Sequence, residues 1–298
     1  MAEVEAAAFL TQPRPGALLR FVRVMTHWPI LPGIILTVLV VAAVFAPLLT
    51  SYPPLKHNLR ERNLPPGWYA QGTWSHPFGT DIIGRDVLSR LMYGARLSLM
   101  VAAVALVTGT VVGTALGLIA GYFGGLVEEV IMRLVDIWLG LPFVLVAMVI
   151  AVVLGPSLTT MMAMLALLTW PGFVRNVRAE VLSLRSRDYV SLAKVAGAST
   201  PRILAQHILP GVLNTVMVLA SLRSGQLILA EAFLSFLGAG IPPPTPTWGS
   251  MIADGRNYLR DAWWISVFPG LAIFLTVLSL NFFGDWVRDH FDPRLRQL

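Results

Sequence analysis

Six apolar runs, each almost free of charge, alternate with polar stretches along the chain. They cover residues 31–50, 98–120, 137–155, 157–173, 211–237 and 265–284, and little more than Pro156 separates the third from the fourth. A helix rises about 1.5 Å per residue, so about 20 residues match a hydrocarbon core of about 30 Å. The pattern predicts an all-α polytopic membrane protein with six transmembrane helices.

The first run, 31–50, has one alternative interpretation, a cleaved signal peptide. However, about 30 residues with three arginines precede it, which is too long for the charged region that opens such a peptide. We therefore interpret 31–50 as the first transmembrane helix.

The distribution of Lys and Arg predicts the orientation. With the N-terminus inside, six spans return both termini to the cytoplasm, with a terminal segment 1–30, the loops 121–136 and 174–210, and a tail 285–298. These four stretches carry 13 Lys and Arg, whereas the opposite stretches 51–97 and 238–264 carry 8. The positive-inside rule thus favours cytoplasmic termini.

The two predicted external stretches differ in character. Residues 51–97 begin with a segment rich in Pro and aromatic residues. Further along, residues 84–92 place apolar side chains (Val87, Leu88, Leu91, Met92) opposite polar ones (Arg85, Asp86, Ser89, Arg90). This pattern predicts an interfacial helix before the second span. Residues 241–249 contain four prolines and are predicted to be non-helical. The neighbouring Trp263 and Trp264 suit the headgroup layer.

Composition excludes several function classes. Hydrophobic residues make up 56% of the chain and charged residues 13%, a balance that a water-soluble globular protein cannot use. The net charge of +6 includes only two lysines, Lys56 and Lys194, so no Lys-rich tail indicates nucleic-acid binding. The chain has no Cys, and none of its five His are spaced i, i+4, so neither thiol nor metal chemistry is indicated.

Intramembrane chemistry depends on ionisable groups, and only Arg223 and Glu231 lie deep in a predicted span. Eight residues apart on a helix, they are rotated by about 80° and form neither a dyad nor a proton relay. Two interpretations stay open: both face a partner subunit or a water-filled passage, or they contact the substrate. No His lies in a span, which excludes an intramembrane Ser-His hydrolase.

ATP hydrolysis by this chain is excluded on the same grounds. A phosphate-binding Walker loop needs Gly-Lys followed by Ser or Thr, but Leu55 and Ala193 precede the two lysines. If ATP drives the protein, the nucleotide binds another polypeptide.

The longest predicted cytoplasmic loop, 174–210, carries the clearest local pattern. Residues 188–196 predict a short helix that Gly197 ends, and Ser199 to Pro201 offer N-cap oxygens and a Pro at the first helical position. Helix, glycine turn and helix form a projecting hairpin, which could either seat in a groove of a soluble partner and transmit its movement or be an ordinary solvated loop.

This hairpin resembles the EAA loop of bacterial ABC importer permeases, which is Glu-Ala-Ala, three residues, Gly, nine residues and Ile-x-Leu-Pro. The chain keeps Ala193, Gly197, Leu209 and Pro210, and departs at Ser191, Leu192 and His207. Further matches to the second, C-type permease of dipeptide and oligopeptide ABC importers lie at 76–81, 84–86, 93–96, 231–232, 234–238, 247–249, 268–270, 284–285 and 292–296.

The resemblance implies a type I ABC importer permease fold, in which 98–284 form the shared transmembrane domain. It implies four partners: a homologous permease, two cytoplasmic ATP-binding subunits that hold ATP and Mg²⁺, and an external substrate-binding protein. No cofactor is expected on this chain, which would lie in the bacterial inner membrane. The residues implied in ATPase coupling are Asp188, Tyr189, Ser191, Ala193, Gly197, Ala198, Leu209 and Pro210.

The implied cargo is di- or oligopeptides, with nickel chelates or glutathione as alternatives within the same machinery. Arg223 and Glu231 are candidates for the translocation path or the permease interface. A stand-alone channel or secondary transporter is the remote alternative, which would need intramembrane ion-binding groups or a repeat of broken helices.

Overall fold

The computed structural model describes residues 30–291, and all the long secondary-structure elements in this range are helices. The predicted segment 1–30, except its last residue, and residues 292–298 of the predicted tail lie outside the described residues. The helices are α1 (Ile30–Val44), α2 (Ala46–Leu49), α3 (Val87–Phe123), α4 (Gly125–Gly140), α5 (Phe143–Leu154), α6 (Leu158–Arg185), α7 (Asp188–Val195), α8 (Thr200–Phe236), α9 (Trp248–Gly255) and α10 (Trp264–Phe291).

Within the described residues, four helices are long and apolar enough to cross a membrane: α3, α6, α8 and α10. The helices α4 and α5 add a fifth span if they count as one, but they meet at an angle of 88°. The span predicted over 137–155 is therefore broken within its length rather than formed by one continuous helix. Pro142 lacks an N–H and restricts the residue before it, which explains the break after Gly140.

The first predicted span, 31–50, is also interrupted. The apolar helix α1 has 15 residues and is followed, after Phe45, by the four-residue helix α2. At about 1.5 Å per residue, α1 alone is shorter than a hydrocarbon core. The count of six full-length helices is thus not reproduced, although the all-helical membrane class is.

Among the described helices, α3 and α6 have the most extensive contact. Four glycines on α3 repeat every fourth residue, and a Cβ on any of them would collide with α6. Their partners include Thr169, Phe173, Val177 and Val181. Small residues at this spacing let two helix backbones approach closely, as in membrane helix pairs. The four glycines are Gly109, Gly113, Gly117 and Gly121.

The connections at one end of the bundle, 50–86 and 237–263, form what we call the long-loop end. The Trp264 indole donates a hydrogen bond to the Thr80 carbonyl at 3.0 Å, so Trp264 is buried in the protein rather than placed among lipid headgroups. The predicted interfacial helix is not a separate element, because residues 84–86 precede α3 and Val87 to Met92 form its first turn and a half. Its polar face, with Ser89 and Arg90, is buried against the protein.

The opposite end contains α7 and the connections on either side of it, and we call it the hairpin end. The Arg185 guanidinium donates to the Gly121 carbonyl at 2.9 Å, joining the ends of α6 and α3. A separate apolar cluster fills this end, with Phe173, Val177, Val181, Val190, Ile203, Ile208, Val212 and Val216.

Candidate functional site

The hairpin is formed by α7, a glycine turn and the start of α8, close to the predicted boundaries. Gly197 has φ +79°, a conformation that side chains with a Cβ rarely adopt. Its N–H bonds the Lys194 carbonyl and the Ala198 N–H bonds the Ala193 carbonyl, both at 3.0 Å. This pair of bonds is a Schellman motif, so α7 ends at a defined residue and the chain reverses sharply.

The inner face of the hairpin is fixed to the bundle. Val190 is fully buried in the apolar cluster of the hairpin end, together with Ile203 and Ile208. Ala193 and Ala198 pack against the same cluster. The hairpin is therefore continuous with the helices α6 and α8 that enter and leave it, and a force on α7 reaches both.

The outer face of the hairpin is apolar and uncovered. Val195 is 87% exposed, Leu192 68% and Tyr189 44%. We call these three side chains the apolar ridge. A solvated loop has no need of three exposed apolar side chains on one short helix, so the ridge has the character of a contact surface.

The other predicted coupling residues are placed as follows. Asp188 opens α7, where its charge favours the helix dipole, and it is exposed like Ser191. Leu209 and Pro210 lie at the start of the regular part of α8. The six residues before them, Ile203–Ile208, wind as a π-helix. Pro210 has no N–H to donate, which interrupts the regular bonding of α8 at this point.

One detail of the hairpin differs from the prediction. Ser199 is the residue before the helix, but its side chain makes no capping hydrogen bond. Pro201 is the second helical residue rather than the first. The start of α8 thus depends on the fixed φ of Pro201 and not on a side-chain cap.

A buried ion cluster occupies the long-loop end and was not recognised from the sequence. The Asp81 carboxylate accepts from Arg85 Nε at 2.5 Å and lies 3.5 Å from Arg90 Nη1. The Asp254 carboxylate accepts from both guanidinium groups at 3.2 Å. Two acidic and two basic side chains therefore join the loop 50–86, α3 and α9. The i, i+4 spacing of Asp81 and Arg85 was the one local signal for it.

A second polar contact holds the start of α3. Asp86 caps this helix by accepting from the Ser89 N–H at 2.7 Å, and its other oxygen lies 2.9 Å from His76 Nδ1. His76 is buried and its ring lies against Tyr52, at 4.6 Å between ring centroids. The residues 76–86 that resemble the family pattern thus serve to fix the loop 50–86 to α3.

Glu231 is enclosed by this chain. Its two carboxylate oxygens accept from Ser98 and Ser235, each at 2.8 Å. Ser98 in turn lies 3.4 Å from the Trp248 N–H, so the carboxylate connects α8 to α3 and α9. Glu231 is fully buried and does not reach the surface that a partner or passage would contact.

Arg223 differs from Glu231 in every respect. It is partly exposed, and its Nη1 donates to the Gln226 side chain at 2.8 Å. It lies against Gly172 of α6. The two residues singled out from the sequence therefore do not form one site: Glu231 supports the fold, whereas Arg223 remains available to another molecule.

Comparison with known proteins agrees with this architecture. A model of the family described as "Binding-protein-dependent transport system inner membrane component" matches residues 113–297. A second model, described as "N-terminal TM domain of oligopeptide transport permease C", matches residues 31–66. Together the two models cover most of the chain.

Curated relatives align over almost their whole length. The dipeptide transport system permease protein DppC of Escherichia coli (strain K12) is 47% identical over 266 residues, which cover 89% of each chain. The di/tripeptide transport system permease protein DppC of Pseudomonas aeruginosa (strain UCBPP-PA14) is 41% identical over 267 residues, which cover 89% of this chain and 88% of the relative.

A solved structure shows the same fold. A chain of the MetNI methionine ABC transporter, in an inward-facing conformation, superposes with a TM-score of 0.53 at 20% identity, covering 67% of this chain and 95% of that one. The chain therefore belongs to the family of binding-protein-dependent transport system inner membrane components, and within it to the C-type permeases.

Proposed function

We propose that this chain is one of two homologous permease subunits of an ATP-driven importer for di- and oligopeptides. The observation that supports a peptide cargo is the 47% identity, over 89% of both chains, to a permease named for dipeptide transport. An external binding protein would deliver the peptide, and two ATPase subunits would bind ATP and Mg²⁺.

The hairpin is the proposed contact with an ATPase subunit. Its apolar ridge is uncovered, while Val190 on the opposite face is buried in the bundle. A partner that grips the ridge would therefore move α6 and α8 together with α7. This arrangement supports transmission of movement from a soluble subunit to the membrane helices.

Transport by the reassembled importer tests the cargo. The chain would be co-expressed with its partner permease, the ATPase subunits and the binding protein, and reconstituted in proteoliposomes. We expect ATP-dependent uptake of a radiolabelled dipeptide, and much less uptake of a nickel chelate or glutathione. ATP-dependent uptake of the nickel chelate or of glutathione, without peptide uptake, would contradict the proposed cargo but not the proposed ABC importer. Failure of an ATPase subunit to co-purify would contradict the machinery itself.

The proposed orientation places the hairpin end in the cytoplasm. The chain has no Cys, so single cysteines give an unambiguous label. Trp74 is 73% exposed at the long-loop end and Val195 is 87% exposed at the hairpin end. We expect Trp74→Cys to react with an impermeant thiol reagent in intact cells, and Val195→Cys to react only after permeabilisation. Equal labelling of both in intact cells would contradict this orientation.

A further inference from the structure

Arg223 and Gly172 meet at the middle of two long helices. Arg223 lies midway between Leu209 and Phe236 in α8, and Gly172 lies midway between Leu158 and Arg185 in α6. Both helices are long and apolar enough to span a membrane, so the contact is far from either end of the bundle. A charged group at that depth is costly and indicates a functional role.

One edge of the Arg223 guanidinium has no partner. Nη1 bonds Gln226, but within residues 30–291 neither Nε nor Nη2 has a hydrogen bond and no carboxylate pairs with the group. Other arginines at helix crossings differ, because Arg175 pairs with Asp136 at 2.6 Å and Arg178 pairs with Glu128. The Nε and Nη2 donors form the fork that binds a carboxylate in a bidentate manner.

Gly172 lets the Arg223 guanidinium lie close against α6. A Cβ at position 172 would lie 2.8 Å from Arg223 Nη2 and 3.6 Å from Nε. These distances show that the guanidinium lies directly on the α6 backbone at Gly172 and that a larger residue there would press on it. On the same face of α6, one turn further along, the Asn176 side chain is exposed and donates to the Gly172 carbonyl at 2.8 Å. The surface around the fork is thus polar and open.

We propose that the Nε and Nη2 edge of Arg223 is a transient binding site for the terminal carboxylate of the transported peptide, halfway across the membrane. The inference rests on the proposed function, because it takes the cargo to be a peptide. A neutral Gln226 orients the guanidinium without occupying its fork, and a single partly exposed arginine holds a carboxylate weakly enough to release it. A carboxylate of the partner permease is the competing source of the same chemistry.

Protection of a nearby cysteine tests the site directly. Asn176→Cys, in an otherwise cysteine-free chain, would be reacted with a cationic thiol reagent in the complete importer without ATP. We expect dialanine to slow the labelling at least about 3-fold, and the C-terminally amidated dipeptide to have no such effect. The slowing should disappear in Asn176→Cys combined with Arg223→Gln, or combined with Gly172→Ala, whose Cβ displaces the guanidinium from its place on α6. Gly270→Ala is the matched control, because Gly270 lies in the spanning helix α10 and a Cβ there meets no atom within 4 Å.

These outcomes distinguish a carboxylate of the peptide from a carboxylate of the partner permease, and they distinguish failure of the site from failure of the proposed function. Equal protection by both peptides, or protection that persists in Arg223→Gln, would overturn the site while leaving peptide import intact. Loss of the partner permease from purified Arg223→Gln complexes would also overturn it, because Arg223 would then pair with that subunit. Absence of dipeptide uptake by the wild-type importer would instead refute the proposed function. In that case, slower labelling of Asn176→Cys in the presence of acetate would still show that the fork binds a carboxylate.

Discussion

The two ends of the bundle differ in whether this chain itself provides the partners of their most distinctive side chains. At the long-loop end, Asp81, Arg85 and Arg90 are buried with their charges paired inside this chain, and only Asp254 is half-buried. At the hairpin end, three apolar side chains of one short helix are exposed. The ion cluster at the first end is paired within this chain, whereas the apolar ridge at the second is a surface that another molecule would cover.

The difference separates residues that maintain the fold from residues that serve a partner. A substitution in the ion cluster removes contacts that this chain makes with itself, so its effect should appear in stability. A substitution on the apolar ridge removes none of them, and its effect should appear in assembly and transport. The following four experiments test this separation.

The largest effect is expected for Asp81→Ala. It leaves Arg85 and Arg90 buried with only Asp254 as a counter-charge, and breaking a buried pair costs about 3–5 kcal/mol. Thermal unfolding of the purified complex should occur at a clearly lower temperature, with less folded protein in the membrane. Asp261→Ala, at an exposed aspartate of the same end, is the control that should leave both unchanged. A wild-type unfolding curve for Asp81→Ala would show that the cluster is not stabilising.

A smaller free-energy change, confined to assembly, is expected for Leu192→Asp. Leu192 is 68% exposed, so the chain should insert and fold normally. A charge within a covered apolar contact should weaken ATPase binding by at least about 2 kcal/mol, roughly 30-fold. Co-purification of the ATPase subunit and ATP-dependent uptake would be measured beside Leu192→Met, which keeps the apolar contact. Normal co-purification with Leu192→Asp would mean that the ridge is not the contact surface.

An effect on coupling is expected for Gly197→Val. A Cβ at Gly197 meets nothing within 4 Å in this chain, so the protein should be present in normal amount. The positive φ adds local strain of about 1–3 kcal/mol at the turn that ends α7. Substrate-stimulated ATP hydrolysis and uptake should both fall steeply.

The matched control for that variant is Gly155→Val. Gly155 also has φ +79° and open space around it, but it lies between α5 and α6, away from the hairpin. If both variants lost coupling equally, general strain rather than the hairpin would explain the loss. Wild-type stimulation and uptake with Gly197→Val would contradict a transmitting role for the hairpin.

The smallest effect is expected for Ser191→Glu, which restores the family residue at this position. Ser191 is exposed and makes no contact that the change would break, so stability should change by less than about 0.5 kcal/mol. Uptake should be close to that of the wild type. A large loss of uptake would show that this importer's ATPase groove has diverged from the family pattern.

The hairpin was predictable because its signals are local. Gly197 provides the positive φ that ends α7, and Pro201 fixes the start of the next helix, so neighbours in sequence determine the turn. The resemblance to the EAA loop includes Gly197 as well, together with Ala193, Leu209 and Pro210. Element boundaries here agree with the sequence to within a residue.

The long-loop end was not predictable by the same means. Arg85 and Arg90 were expected on the polar face of an interfacial helix, because an amphipathic pattern shows only that two faces differ. Their partner, Asp254, comes from α9, more than 160 residues further along the chain. The same limit applies to Glu231, because one of its carboxylate oxygens accepts from Ser98 of a different helix. Pairing between distant segments leaves no periodic trace in a single sequence.

The helix pair α3 and α6 has a mechanical consequence. Its four glycine contacts, from Gly109 to Gly121, interlock the two backbones over about 18 Å at 1.5 Å per residue, in the second half of α3. Two helices joined at four successive points resist both bending and sliding, so this part of the pair acts as one stiff beam that ends at the hairpin end. Any rearrangement that opens and closes a path must then take place around this beam, at the 88° corner between α4 and α5 and along α8.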